Sequence, residues 1–215
     1  MHQFTPSATP RIGTFIDGGY FGGVINVNGT HKGFVWAPKA AGQIIARLLF
    51  TGKTAQGEYS PHDCAANTAA LIASGSEAAE RVAALDINGY QDWLVPSRDV
   101  LELGYRHFKP TAYPNCCSWR DGENPNSVPP GWLYTEDNPA QTTLEAFKAG
   151  GPEAFDAAWY GSSTVFPDGM TAFVQVFCIG DQYGINLSSE VRVRAVRLIQ
   201  LGSSILQSFI RNSPT

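Results

Sequence analysis

From Ala157 to Arg197 the chain is cut by turn residues into short runs rich in β-branched and aromatic side chains, each too brief for a helix of ordinary length. Trp159, Tyr160, Ser162, Ser163 and Thr164 form the first run, which Pro167, Asp168 and Gly169 end. Thr171 to Ile179 is the second, dense in Phe and Val, and Gly180-Asp181 turns it. After a short polar passage, Ser188-Ser189 lead into Val191 to Arg197, where Val191, Val193 and Ala195 alternate with Arg192 and Arg194. Side chains of a strand point alternately to its two faces, so this third run predicts one buried face and one solvated basic face. Together the runs predict an antiparallel meander that displays side chains on its outer face and in its turns.

Upstream, Tyr20 to Val27, Asn28-Gly29 and Thr30 to Ala37 form the clearest hairpin, because Asn-Gly tolerates the positive φ that a tight two-residue turn needs. Gly18-Gly19 and Gly22-Gly23 lack phosphate-loop spacing and lead into a strand, which predicts a bulge or close backbone packing. Gln43 to Phe50 is short and apolar, either strand or helix. Helices are expected over His62 to Ala73, with Asp63 near its start, and over Glu77 to Leu85. His62-Asp63-Cys64 reads as a helix cap with a flanking imidazole. The principal core helix starts at Ser97, a favoured N-cap followed by Asp99; it presents Leu101, Tyr105 and Phe108 on one face and ends at Lys109-Pro110. Thr111 to Asn138 is irregular and rich in Pro, Asn, Trp and Tyr, the kind of long loop that carries contacts. Gln141 to Ala149 predicts a short helix ended by Gly150-Gly151, with Pro152 suited to opening another.

Three patterns in this order carry a resemblance: Trp159-Tyr160-x-Ser162-Ser163-Thr164, Gln175-x-Phe177-x-x-Gly180-x-Gln182, and Arg192-x-Arg194-Ala195-Val196-Arg197. They are similar to the Lcl C-terminal domain family, whose members are variants of the C-type-lectin-like fold related in shape to formylglycine-generating enzymes. Gly89-x-x-Asp92-Trp93-x-x-Pro96-Ser97 with Leu101, Glu102 and Tyr105 resembles the same family's entry into its helix. Gly18-Gly19-Tyr20-Phe21 with Val35-x-Ala37-Pro38-Lys39 is similar to versions found in bacteriophage tail proteins. The resemblance implies an α+β, C-type-lectin-like fold: antiparallel sheets, two or three helices and a long irregular loop region. The expected organisation is an extended N-terminal arm over residues 1–12, the domain over 13–198 and a C-terminal tail over 199–215.

A chain of 215 residues is long enough for one domain. Only 16% of its residues are charged, against a usual figure of about 25%, which suits a subunit embedded in an assembly. A net charge of −4 argues against nucleic acid as a partner. Met1 to Arg11 lacks the apolar core of a signal peptide, and Leu198 to Ile210 is too interrupted by polar residues to span a bilayer, so no membrane insertion is expected. Cys64, Cys116, Cys117 and Cys178 lack disulfide-framework or metal spacing and read as free thiols. Glu123-Asn124-Pro125 and Asp137-Asn138-Pro139 differ in order from the calcium tripeptide of true C-type lectins, so neither calcium nor any cofactor is expected. No nucleophile elbow, zinc-helix or paired-carboxylate pattern marks an enzyme.

The function these readings imply is that of a phage tail-tip or tail-fibre adhesin in the virion, made in the host cytoplasm. It is expected to act as a homotrimer among other tail subunits and to bind a glycan or protein receptor on the host surface. The alternative is a connector or decoration of the baseplate. The expected contact residues are Tyr160, Phe166, Asp168, Met170, Gln182, Tyr183 and Asn186, with Trp119, Trp132 and Tyr134 from the loop.

Overall fold

A computed structural model describes residues 10–202. Its architecture is α+β, with four helices, two sheets and a long stretch without regular structure over residues 109–144. The first sheet has the order β1-β2-β3-β9, with β1 Phe15–Ile16, β2 Gly19–Val27, β3 Thr30–Trp36 and β9 Val196–Ile199. The second has the order β4-β8-β5-β6-β7, with β4 Gln43–Arg47, β5 Trp159–Val165, β6 Thr171–Val176, β7 Gln182–Asn186 and β8 Glu190–Arg194.

The β2–β3 hairpin turns on Asn28 and Gly29 at φ of 51° and 85°, the left-handed pair that matches strand twist. A bulge shifts the register between Phe21 and Gly23, as the paired glycines predict. A side chain at Gly22 would meet the Phe34 ring at 2.3 Å, and one at Gly104 would meet the Trp36 indole at 2.4 Å. Glycine at both places lets the buried Trp36 sit tightly between strand and helix.

Two chain crossings join the sheets. One runs from β3 through the single-turn helix α1 (Lys39–Gly42) into β4, and the other runs from β8 through Ala195 into β9. They are laced together, since Ala37 N donates to Ala195 O at 2.9 Å and Ala195 N to Gly42 O at 2.8 Å. At this crossing Arg194 is fully buried. Its Nε donates to Ala37 O at 2.8 Å and its Nη1 to Glu153 O at 2.7 Å, while Nη2 pairs with the Glu153 carboxylate. The guanidinium lies 4.7 Å from the Phe155 ring centre. Glu153 Oε2 also accepts from Lys39 N at 2.8 Å, so one carboxylate joins both crossings.

This arrangement corrects the reading of the last basic run. Arg194 and Arg197 are buried, not solvated, because the strand leaves one sheet for the other and is covered on both faces. Arg197 pairs with Asp92 and stacks 3.9 Å over the Tyr90 ring. The meander holds for β5, β6 and β7. However, β7 falls within the passage read only as polar, and β8 returns to the far edge of β5, where Tyr160 and Arg192 pair in parallel. Hydrogen bonding to β6 makes β7 a strand despite its polar ends, Gln182 and Asn186.

Helices α2 (Cys64–Ala73) and α3 (Glu77–Ala83) are capped by Asp63 and Ser76, whose side chains accept from Ala66 N and Ala79 N. Helix α4 (Arg98–Phe108) packs on β2 of one sheet and on β5 and β6 of the other. Ser97 holds its N-cap position but makes no side-chain cap; its hydroxyl accepts instead from the Cys64 thiol at 3.4 Å. Burial pushes that thiol up to about 11. The helix expected over Gln141 to Ala149 shrinks to one 3-10 turn, Glu145–Phe147, because Gly150 and Gly151 leave it no length in which to propagate. No helix opens at Pro152. With α1 the count exceeds the two or three helices expected.

An aromatic cluster fills the space under α4, where Phe155 stacks on Phe177 at 4.0 Å and Phe108 meets Phe147 at 4.3 Å. The domain edge expected at residue 198 lies inside β9, since Ile199 pairs with Gly33 and is buried. Ile12, expected in the N-terminal arm, packs on the core. Most of that arm and of the tail lies outside the described residues.

Arg194→Ala leaves the Glu153 carboxylate buried without its partner, and a loss of about 3–5 kcal/mol is expected in urea denaturation. A loss under about 1 kcal/mol means that the crossing is held by packing alone. His107, near the end of α4, donates from Nδ1 to Gly22 O at 2.8 Å. Burial first, then the Arg106 charge, lowers its pKa from 6.5 to about 4. The folded chain therefore keeps this ring neutral where the unfolded chain protonates it. Its contribution to stability is full above the unfolded value and is lost as pH falls from 6.5 towards about 4. His107→Asn keeps a donor but cannot titrate, so its melting temperature should fall less than the wild type's across this window; parallel profiles refute the assignment.

Candidate functional site

Arg98 opens α4 in the first turn, where the helix dipole disfavours a cation. It is held there by neighbours. Its backbone N donates to Thr164 Oγ1 at 3.0 Å, its Nη1 to Asp99 Oδ1 at 2.7 Å and its Nη2 to Gln182 Oε1 at 2.7 Å. Burial raises the Asp99 pKa, and the Arg98 charge opposes that rise. From Gln182 the contacts run on through the buried interior. Gln182 Nε2 donates to Gln175 Oε1 at 2.7 Å, and the Tyr134 hydroxyl donates to Glu102 Oε1 at 2.8 Å. Asn124 Nδ2 bonds both Glu102 Oε2 at 2.7 Å and Asp99 O at 2.8 Å. Arg106 completes the set by donating to Gly122 O and Trp132 O at 2.7 and 2.9 Å. This network fixes the irregular stretch onto α4 and the second sheet, and it uses Asn124 for scaffolding.

The network borders a cavity of about 600 Å³. The 51–60 segment contributes Tyr59, α4 contributes Arg98, the loop contributes Arg120, and β5, its following turn and β6 contribute Thr164, Phe166 and Phe173. Phe166 and Phe173 stack at 4.1 Å and form an aromatic wall. Arg120 is carried by the Trp119 turn, which Asp121 ties to β7 by accepting from Gln182 N at 3.0 Å and Ser118 N at 3.1 Å.

Among the described residues, five buried side-chain N or O atoms have no hydrogen-bond partner; three belong to residues lining this cavity, namely Tyr59 Oη, Arg98 Nε and Arg120 Nε. A buried donor without an acceptor costs roughly 1–3 kcal/mol, so such a cluster marks a place for a ligand's polar atoms. The Tyr59 hydroxyl lies near Ser74, which already bonds Ala70 O and Gln56 N; the arginine groups are therefore the stronger observation. Arg120 Nε lies 3.6 Å from Glu123 Oε2, beyond hydrogen-bonding reach. Burial and then the Arg98 charge lower the Arg120 pKa. Stacked rings beside unsatisfied donors suit a ring-shaped polar ligand.

The structure disperses the residues expected to make contacts. Tyr160, Gln182 and Tyr134 lie in the core, a correction in each case. Tyr160 bonds Gln43 and Asp156 and packs on Phe155; the other two belong to the network. Phe166 lines the cavity, and Trp119, 69% exposed, adjoins Arg120. Asp168 organises its turn, and bonds from Met170 N and the Thr171 side chain hold its carboxyl below the usual range. Met170 and Asn186 border a separate, smaller pocket of about 160 Å³ with Phe50 and Lys53. Tyr183 stands edge-on to Trp159 at 5.9 Å, and Trp132, 74% exposed, lines a different pocket with Arg106 and His107. Arg98, Arg120, Tyr59 and Phe173 were missed. A cation at the first position of a helix was the one available signal, for Arg98.

Cys116, Asp121 and Asp181 bring ligand-capable atoms within 4.8 Å of one another, and they are the residues best placed to hold a cation among those described. Both Asp121 oxygens already accept backbone N–H groups. The four cysteines are free. No helix of the described residues is long and apolar enough to cross a membrane.

Gln182→Ala removes the acceptor of Arg98 and the donor to Gln175, and should lower stability by about 1–3 kcal/mol. Asn186→Ala, which loses only the exposed turn bonds from Ser188 N and Oγ, should cost less than about 1 kcal/mol in the same denaturation series. Equal effects would contradict this partition of core from surface. No protein-family model matches the chain, and no curated protein matches it.

Proposed function

We propose that the chain is a bacteriophage tail-tip or tail-fibre protein with a C-type-lectin-like domain of the Lcl C-terminal type, which binds the host cell surface without catalysing a reaction. The observation that carries this reading is the cavity between Phe166, Phe173, Arg98 and Arg120, where stacked rings adjoin unsatisfied donors. Aromatic surface plus fixed donors is the chemistry of glycan recognition, and a homotrimer multiplies a weak site by avidity. The motif resemblance supplies the phage setting. A rigid polar network under the loop supports the reading too, because a contact surface needs its side chains held before the receptor arrives.

A second reading, a connector among other tail subunits, is favoured by a depression in the second sheet. Ile45 and Trp159, 56% and 45% exposed, border it with Glu190 and Arg192 and offer a mixed apolar and charged surface to a neighbouring subunit.

Labelled protein should bind intact host bacteria saturably, compete with phage adsorption and run as a trimer in solution. Phe166→Ala should weaken cell binding at least tenfold with its fold intact by circular dichroism. Undiminished binding removes the cavity from the adhesin reading. Failure to bind any cell, with retention on other tail subunits, turns the assignment to the connector.

A further inference from the structure

We propose that the cavity takes a sugar unit bearing one carboxylate, with the carboxylate set against the guanidinium groups of Arg98 and Arg120 and the pyranose ring resting on the Phe166–Phe173 wall. This deepens the receptor-binding reading and rests on it.

The charges select an anion. Arg98 is 2% exposed and its charge is met by Asp99 at 2.7 Å, but its Nε–H has no acceptor. The Arg120 Nε–H is buried as well; its carboxylate neighbour Glu123 stands 3.6 Å away with a side chain 55% exposed, a contact that water screens. One cation at the cavity is thus left with weak compensation, beside another whose charge disfavours it. A neutral hydroxyl accepts a hydrogen bond yet does nothing for that charge, whereas a carboxylate makes charge-assisted bonds of about twice the strength. Asp99 behind Arg98, and Glu58 on the cavity lining, oppose a second negative charge, which disfavours a phosphate dianion. The volume of about 600 Å³ lies within the range for small-molecule sites, roughly 300–1,000 Å³.

The test titrates the full chain with D-glucuronate and D-galacturonate, and with D-glucose and D-galactose as neutral counterparts, by calorimetry and saturation-transfer NMR. The uronates should bind at least tenfold more tightly than the neutral sugars, and the difference should shrink at high salt. Arg120→Gln should cost the uronates at least tenfold and the neutral sugars less than threefold; Arg120→Lys should recover part of the uronate loss. Arg120 is chosen because Arg98 is structural. Equal affinity for acid and neutral sugars, no binding of any of the four, or uronate affinity unaffected by Arg120→Gln overturns the proposal. If these arms fail while cell binding still depends on Phe166, the ligand class falls and the receptor site stands. If cell binding ignores Phe166→Ala, the receptor reading itself fails.

Discussion

The buried pair of Arg194 with Glu153 is the contact on which the two sheets depend. It sits where both crossings between the sheets meet, and Glu153 reaches one crossing through Lys39 N and the other through the guanidinium. Immediately downstream, Asp156 repeats the pattern on the surface, accepting from Lys39, Gln43 and Arg192, and these donors hold its carboxyl below the usual range. The short segment from Glu153 to Asp156 therefore acts as a clasp. Removing an ion pair from water is expensive, and here backbone carbonyls from Ala37 and Glu153 offset that cost by satisfying the remaining donors. A specific crossing geometry results, which apolar packing alone would leave less defined.

From that crossing the second sheet carries the wall of the cavity, and α4 carries its charged corner. The buried polar side chains around Glu102 and Gln182 are unusual for a helix at the centre of a domain. Their chemistry makes sense once the 109–144 stretch is considered, since an irregular backbone needs partners for its peptide groups wherever water is excluded. Asn124 supplies one by accepting from Ser127 N through Oδ1, and Asn115, Lys109 and Arg106 supply others by donating to Thr135 O, Tyr113 O and Gly122 O. The cavity sits at the edge of this network, where satisfaction runs out at two arginine N–H groups.

The motif residues prove to be architectural. Ser163 donates to Pro96 O, Thr164 bridges Arg98 N and Ser60 O, Gln175 bonds Gln182, and Asp92 meets Arg197. Placing the contact surface on Tyr160 and Gln182 failed for this reason: residues that define the fold are those the interior holds. Alternation along a strand identifies a buried face only when the other face meets solvent, and β5 is buried on both faces from Tyr160 to Val165.

The sequence alone determined what local chemistry decides. Asn28-Gly29 fixed a hairpin through its permitted dihedrals, Asp63 and Lys109-Pro110 marked helix ends, and the spacing of Leu101, Tyr105 and Phe108 marked the face of α4 that packs inward. Tertiary structure decided which strands share a sheet, that Arg194 and Arg197 turn inward, and that Arg98, Arg120, Phe166 and Phe173 meet around one cavity. These four come from a helix start, a loop, a turn and a strand spread over some 75 positions. No periodicity links them, because their meeting depends on the crossing between sheets and on hydrogen bonds made only after the chain has closed on itself.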